Sequence, residues 1–309
     1  MLDHFKIGHF TDIENGTGCT VIIPPEDNVT SASAKGASPG SREYALLSPK
    51  RKIAKINALV LTGGSAFGLN CAHGVMESLA AKNIGYQTNF GIVPIVPAAV
   101  IFDKNVGSHD AYPKVKDAQS AFDAAVFQNF EQGNTGAGTG ASVGKWRGID
   151  HAMKSGLGIG SAEYKNVRVT AVSVVNAAAD VLDERGCILA GAVDADGSFI
   201  AEKNKFSRFD RTEAGMAENT VLTAVFTNTI ISKQQAYHLA ERAHFGIARR
   251  VEPSHTSYDG DIAFVISTPQ EKADLDLTAS MIVAAVEESV MNGVRKAETL
   301  YGLKVLRDL

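Results

Sequence analysis

In the stretch GMAENTVLTAVFTN, residues 215–228, a polar pair, Asn219 and Thr220, stands directly in front of an apolar run. Two readings of the pair are open. In one, Asn219 ends a loop and Thr220 opens a strand, as β-branched residues commonly do. In the other, the Thr220 hydroxyl attacks the carbonyl of Asn219, an N-to-O acyl shift follows, and water cuts the chain between them. A threonine exposed in this way carries nucleophile and base on one residue. Its α-amine, with a pKa of roughly 7.7–8.0, accepts the hydroxyl proton near neutrality.

Other chemistry-bearing residues are Asp259 and Asp261 in SHTSYDGD. Residues two apart on an extended strand point the same way, so both carboxylates could face one site. Asp-Gly is also the commonest hairpin signal, and residue type alone favours the turn. The glycine-rich segment 133–144 fails the phosphate-loop pattern, because Thr139 stands where the first glycine belongs and Trp146 follows Lys145. It also fails the dinucleotide fingerprint, with Ala141 or Val143 at the third glycine position. What remains is a flexible loop whose bare backbone, at Gly138 and Gly140, admits a substrate or another segment closely. GGSAFG has Phe67 where a nucleophile elbow needs glycine, so Ser65 is expected to be the N-cap of the next helix. The eight histidines and three cysteines show no zinc spacing. No cofactor or metal is expected.

The elements that would position these groups are legible in outline. Strands are predicted in GTGCTVIIPPEDN, INALVLT, GIVPIVPAAVIFD, RVTAVSVVNAAADVL, VLTAVF and DIAFVIST. Phe67, Cys71, Val75 and Leu79 recur every four residues and predict a helix. AYPKVKDAQSAFDAAVFQNF predicts another, with Ala121, Phe122, Ala124 and Ala125 in its periodic positions. KQQAYHLAERAHFGIARR and TASMIVAAVEESVMNGVRKAETLYG read as amphipathic helices, the latter with Met281, Ile282, Ala285, Val286 and Ser289 on one side. SASAKGASPGSREYALLSP reads as a surface loop, and 183–219 as a long polar connection. Mixed strands and helices give α/β or α+β as the class. A 309-residue chain with 45% hydrophobic and 21% charged residues and a net charge of −4 fits an ordinary globular protein that recruits neither nucleic acid nor an anionic membrane. The N-terminus lacks a signal-peptide pattern and the cysteines are unpatterned, so a cytoplasmic protein with reduced thiols is expected.

Five ordered motifs, LTGGSAFGLNCAHGVM, TGAGTGASVGKW, VSVVNAAADV, ENTVLTAVFTN and HTSYDGDIAFVIST, resemble the L-aminopeptidase/D-esterase (DmpA) family. Its members include β-peptidyl aminopeptidases and the nylon-oligomer endo-hydrolase, and the likeness runs over nearly the whole chain. The resemblance implies an α+β fold, a four-layer αββα sandwich shared with ornithine acetyltransferases, formed by residues 1–309 as one domain. It implies self-cleavage between Asn219 and Thr220 into pieces 1–219 and 220–309 that stay together, further assembled as a homo-oligomer, often a tetramer of such pairs. Thr220 then matches the nucleophile and Asn176 the oxyanion-binding asparagine. Lys145 matches a lysine near the nucleophile in the nylon-oligomer branch. Asp259 and Asp261 match the acidic pair that orients the nucleophile and its amine. The β-aminopeptidases carry Ser-x-Glu in place of Asp259-Gly260-Asp261, and Glu-x-Tyr where this chain has Val100 and Phe102. There the glutamate holds the substrate ammonium and the tyrosine assists at the oxyanion. The expected activity is hydrolysis of a small peptide or amide, as an aminopeptidase or amidohydrolase, through an acyl-enzyme. Acyl transfer to an amine and an unprocessed scaffold are the alternatives.

Overall fold

The structure is a computed structural model and describes residues 1–210 and 219–309. The chain opens with β1 (Lys6–Asp12), β2 (Thr17–Ile23), β3 (Val29–Ala34) and β4 (Ser41–Arg42). β5 (Leu59–Thr62) leads into α1 (Cys71–Ala81), and the hairpin β6 (Tyr86–Thr88) with β7 (Gly91–Val93) precedes β8 (Ala98–Val100). Next come α2 (Val115–Asp123), β9 (Val126–Phe127) and the short pair β10 (Ser142–Val143) and β11 (Met153–Lys154). A long hairpin follows, β12 (Leu157–Tyr164) and β13 (Val167–Asn176), then β14 (Asp180–Leu182), β15 (Ile188–Ala190) and α3 (Ile200–Lys203). β16 (Thr220–Thr229), α4 (Lys233–Arg250), β17 (Val251–Glu252), β18 (Ile262–Glu271) and α5 (Leu275–Arg295) complete the order.

Two sheets form the centre. One runs β4-β8-β5-β2-β1-β9 and the other β12-β13-β16-β18-β3. They face each other across a core in which Ile22, Leu59 and Leu61 meet Val174, Leu222 and Phe226. The outer side of the first sheet packs Val21 and Val60 against Val75, Leu79 and Ala118 of α1 and α2. The outer side of the second packs Val225 and Val265 against Leu239, Ile282 and Val286 of α4 and α5. Each fully buried side chain of this size contributes roughly 1.5–3 kcal/mol. The result is the expected α+β, four-layer αββα sandwich.

Strand alternation decides which way the site residues point. On β16, Leu222, Ala224 and Phe226 enter the core between the sheets, whereas Val221 and Val225 face the helices. With a side-chain period of two, Thr220 points between the sheets. On β13, Val172 and Val174 face the same core, so Asn176 does too.

Several expectations need correction. Ser65 does not cap a helix: it opens a 3-10 turn, Ser65–Asn70, with φ 53°, and α1 begins at Cys71 after Asn70. Phe67 lies in that turn and is exposed, which leaves Cys71, Val75 and Leu79 as the buried row. Ala124 and Ala125 fall beyond α2, which stops at Asp123. The small, polar SASA segment is a strand, β3, pairing antiparallel with β18 (Ala34 opposite Ile262), because small residues fit beneath α4. The connection 183–219 contains β15 and α3; its residues 211–218 lie outside those described. The glycine segment is no free loop. Gly138 and Gly140 are buried, and a Cβ would fall 2.3 Å from Leu157 N at the first and 2.1 Å from Gly16 O at the second. The bare backbone there accommodates other segments of the protein.

Candidate active site

Asn176 ends β13, Thr220 begins β16, and the two are register partners across an antiparallel pair. The Thr220 hydroxyl donates to the carbonyl oxygen of Asn219 at 2.6 Å. That same oxygen accepts the Gly260 N–H at 2.8 Å. Gly260 is held close: a Cβ there would come 2.5 Å from Ser38 O and 3.0 Å from Thr220 Oγ1. Asp259 and Asp261 do not form a hairpin turn. The segment forms a parallel bridge with Asn219 and runs straight into β18. Asp261 Oδ1 accepts the Val221 N–H at 2.7 Å. Asp259 Oδ2 accepts the Thr256 N–H at 2.6 Å. Burial, and then the charge of Asp261, raise the Asp259 pKa above the usual carboxylate range.

The Asn176 side chain is oriented by its partners. Oδ1 accepts from Lys145 Nζ at 2.7 Å and from the Ser142 N–H at 3.2 Å, and Nδ2 donates to Phe102 O at 2.9 Å. An amide nitrogen has two protons, so one remains after the bond to Phe102. Lys145 is completely buried and also donates to the Asn176 main-chain oxygen at 3.2 Å. Burial pulls its pKa from 10.5 down to about 7, against the opposing pull of Asp103 and Asp259.

The sequence-named residues Thr220, Asn219, Asn176, Lys145, Asp259 and Asp261 are thus linked through one continuous set of contacts. Phe102 joins it through its main-chain oxygen. Val100 is buried with Cγ2 only 2.5 Å from where a Gly40 Cβ would stand. Gly138 O accepts from Lys154 Nζ at 3.2 Å.

Four contributors were not foreseen. Lys154, fully buried, also donates to Ala141 O at 2.9 Å and to Ser155 O, which ties the glycine segment to β11; burial draws its pKa to about 7. Asp103 is buried, accepts the Gly64 N–H and the Thr17 hydroxyl, each at 2.7 Å, and has its pKa raised by burial. The Gly260 N–H and His255, whose Nδ1 is 2.7 Å from Asp261 Oδ2, complete the group. Only the proximity of Asp103 to Phe102, and of His255 to the DGD motif, could have drawn attention to them. Among the described residues, no cluster of three or more His, Cys, Asp or Glu side chains could hold a metal ion. Nor is any helix among them long and apolar enough to cross a membrane.

Known proteins resemble this chain in sequence and fold. The model of peptidase family S58 matches residues 3–306. An uncharacterized aminopeptidase of Mycobacterium tuberculosis is 31% identical over 340 residues, covering 98% of this chain and 95% of its own length. The 6-aminohexanoate-oligomer endohydrolase of Kocuria sp. is 30% identical over 304 residues, covering 92% of this chain and 81% of that protein. The solved structure of the L-aminopeptidase D-Ala-esterase/amidase of Ochrobactrum anthropi, described as a variant of the Ntn hydrolase fold, superposes with a TM-score of 0.74. Identity is 19%, with coverage of 96% of this chain and 85% of that one. The β-aminopeptidase of Burkholderia sp. gives 0.70 at 17% identity, over 98% and 90% of the two chains. A family model spanning nearly the whole sequence, with relatives at this identity over most of their length, fixes the affiliation: the chain belongs to peptidase family S58, a family of amide-bond hydrolases.

Proposed function

We propose that this protein is a self-processing N-terminal-threonine amidohydrolase, with Thr220 as nucleophile and Asn219–Thr220 as the bond it cuts in itself. One observation carries the reading: the Thr220 hydroxyl rests on the carbonyl of its own preceding peptide, while the Gly260 N–H donates to the same oxygen. The second donor favours negative charge on that oxygen as the hydroxyl attacks the carbonyl carbon. The C–N bond then breaks, the amide nitrogen takes a proton to become the Thr220 α-amine, and water hydrolyses the resulting ester. Asn219 Oδ1 is buried with no hydrogen-bond partner among the described residues.

In the cut protein the α-amine takes the Thr220 hydroxyl proton and the oxygen attacks a substrate amide. Asn176 Nδ2, which keeps one proton beyond the bond to Phe102 while Oδ1 is held by Lys145 and Ser142, donates to the oxyanion. The leaving amine departs with a proton, and water resolves the acyl-enzyme. Asp259 and Asp261 hold the strand start, and Lys145 fixes the asparagine and tempers charge nearby. Val100 offers no anchor for a substrate ammonium, which favours an endo-acting or general amidohydrolase over a strict aminopeptidase. The 6-aminohexanoate oligomers of the endohydrolase relatives are the first substrates to try.

Intact mass of wild type beside Thr220→Ala tests the proposal. Wild type yields two pieces, the smaller beginning at Thr220, and hydrolyses amides; Thr220→Ala yields one full-length, inactive chain. A cut elsewhere, or an active alanine variant, overturns it.

A further inference from the structure

His255 has an acceptor at each ring nitrogen. Nδ1 lies 2.7 Å from Asp261 Oδ2, and Nε2 lies 3.4 Å from the carbonyl oxygen of His244. A neutral imidazole has a single N–H and would set a lone pair against one of these oxygens. The doubly protonated ring satisfies both. Its side chain is 21% exposed. The backbone at His255 has φ 55°, a left-handed conformation that histidine, asparagine and aspartate tolerate better than other side-chain-bearing residues.

Asp261 carries this contact to the nucleophile. One of its oxygens holds His255 and the other holds the N–H of Val221, the neighbour of Thr220. We propose that His255 is a positioning residue, kept as an imidazolium, that pairs with Asp261 and so limits the negative charge around the amino group of Thr220. This rests on the reading of Thr220 as the N-terminal nucleophile. With the imidazolium present, the charge of Asp261 is offset and weighs less on the amine. Without it, two carboxylates act together and the amine keeps its proton, unable to serve as base, to a higher pH.

The surroundings agree. Burial works against a charged His255 ring, but the hydrogen bond and charge of Asp261 outweigh it and the pKa is raised. From α4, His244 meets the ring edge-on at 4.8 Å between centroids, and burial lowers its own pKa to about 4, so it brings no charge at neutral pH. Lys35, His238, Glu241 and Arg242 line the cavity beyond. Lys35 and Glu241 pair with each other at 3.6 Å, which leaves Asp261 and Asp259 as the carboxylates bearing on the ring among the described residues.

His255→Asn and His255→Ala separate charge from hydrogen bond. Asparagine tolerates the left-handed backbone and retains an N–H for Asp261 without the charge; alanine has neither. In protein shown by intact mass to be cut at Thr220, both variants move the acid limb of kcat/KM upward by about one pH unit, the order expected for loss of one charge in a partly screened site. The asparagine variant keeps its high-pH plateau within about threefold of wild type, while the alanine variant loses it as well. An acid limb that stays in place in a cut His255→Asn protein overturns this inference alone. An NMR titration of the wild-type ring, assigned by its loss in His255→Asn, gives a second readout: an imidazolium persisting above pH 7 supports it, and a ring neutral at pH 7 overturns it regardless of catalysis. A wild-type chain that stays uncut overturns the Thr220 reading and, with it, the link to the amine.

Discussion

Asn176 and Thr220 face each other as the last residue of β13 and the first of β16, in register across an antiparallel pair. Both point between the two sheets, so an amide donor and a hydroxyl lie side by side there. Lys145 sits behind the asparagine and turns its oxygen inward. The geometry leaves the asparagine nitrogen, and not its oxygen, with a proton for the proposed oxyanion contact.

Replacing Asn176 therefore has a defined outcome. Asn176→Ala lowers kcat by about 10²–10³-fold, the usual loss for one oxyanion donor. Asn176→Asp loses a similar factor although a carboxylate can pair with Lys145, because an acceptor cannot stabilise an oxyanion. Steady-state kinetics, normalised to the fraction cut at Thr220, check both. An aspartate variant that matches wild type would remove the asparagine from oxyanion binding.

Gly260→Ala tests the donor assigned to the proposed self-cleavage. The new Cβ would stand 2.5 Å from Ser38 O, a main-chain atom, and 3.0 Å from Thr220 Oγ1. The backbone there must shift, and its N–H withdraws from Asn219 O. The half-life of the full-length chain on a denaturing gel lengthens by about 10²-fold, while the sheet itself, anchored further along β16 and β18, remains folded. An unchanged half-life would show that this N–H does not assist the cut.

The two buried lysines tie stability to pH. Lys145 and Lys154 have their pKa values lowered from 10.5 to about 7 by burial. Between those values the unfolded chain binds protons that the folded chain does not, so stability rises with pH from about 7 to 10, by up to about 1.36 kcal/mol per pH unit for each lysine. Lys154→Met removes one contribution: the slope of unfolding free energy against pH falls below that of wild type. It also takes the lysine donor from the Ser155 carbonyl, at about 1–3 kcal/mol, whereas the Gly138 and Ala141 carbonyls keep the N–H groups of Ala141 and Ser155. Urea titrations at pH 7, 8.5 and 10 read both effects, and parallel slopes in the two proteins would deny Lys154 its lowered pKa.

Sequence patterning reveals the strands and helices whose apolar residues repeat cleanly, such as Val221 to Phe226 and Lys233 to Arg250. It misses β12 because LGIG is poor in strand-forming side chains. The structure supplies the reason: a Cβ at Gly158 would sit 2.1 Å from Ser289 O, and one at Gly160 2.2 Å from Ala285 O, so these positions stay bare to let α5 lie against the sheet. β3 escapes for a related cause, its serines and alanines being chosen for room under α4. In the site, motif resemblance finds the side chains that act in a shared pattern. It does not find Lys154, Asp103 or His255, whose importance comes from what folds around them, nor the Gly260 N–H, which has no side-chain signature at all.

Val100 and Phe102 stand where the β-aminopeptidases have glutamate and tyrosine, and their surroundings predict different responses to being changed back. Val100 is 5% exposed, its methyl pressed against Gly40. Val100→Glu buries a carboxylate without a partner, so melting falls by several degrees and no preference for substrates with a free amino terminus is gained. Phe102 is half-buried, and Asn176 uses only its main-chain oxygen; Phe102→Tyr keeps that bond and stays within about 0.5 kcal/mol of wild type. Thermal melts with matched assays on free and N-blocked amides distinguish these outcomes. A stable Val100→Glu protein that turns toward free-amine substrates would mean that room opens where the packing is here closed, and the proposed endo preference would then rest on this one side chain.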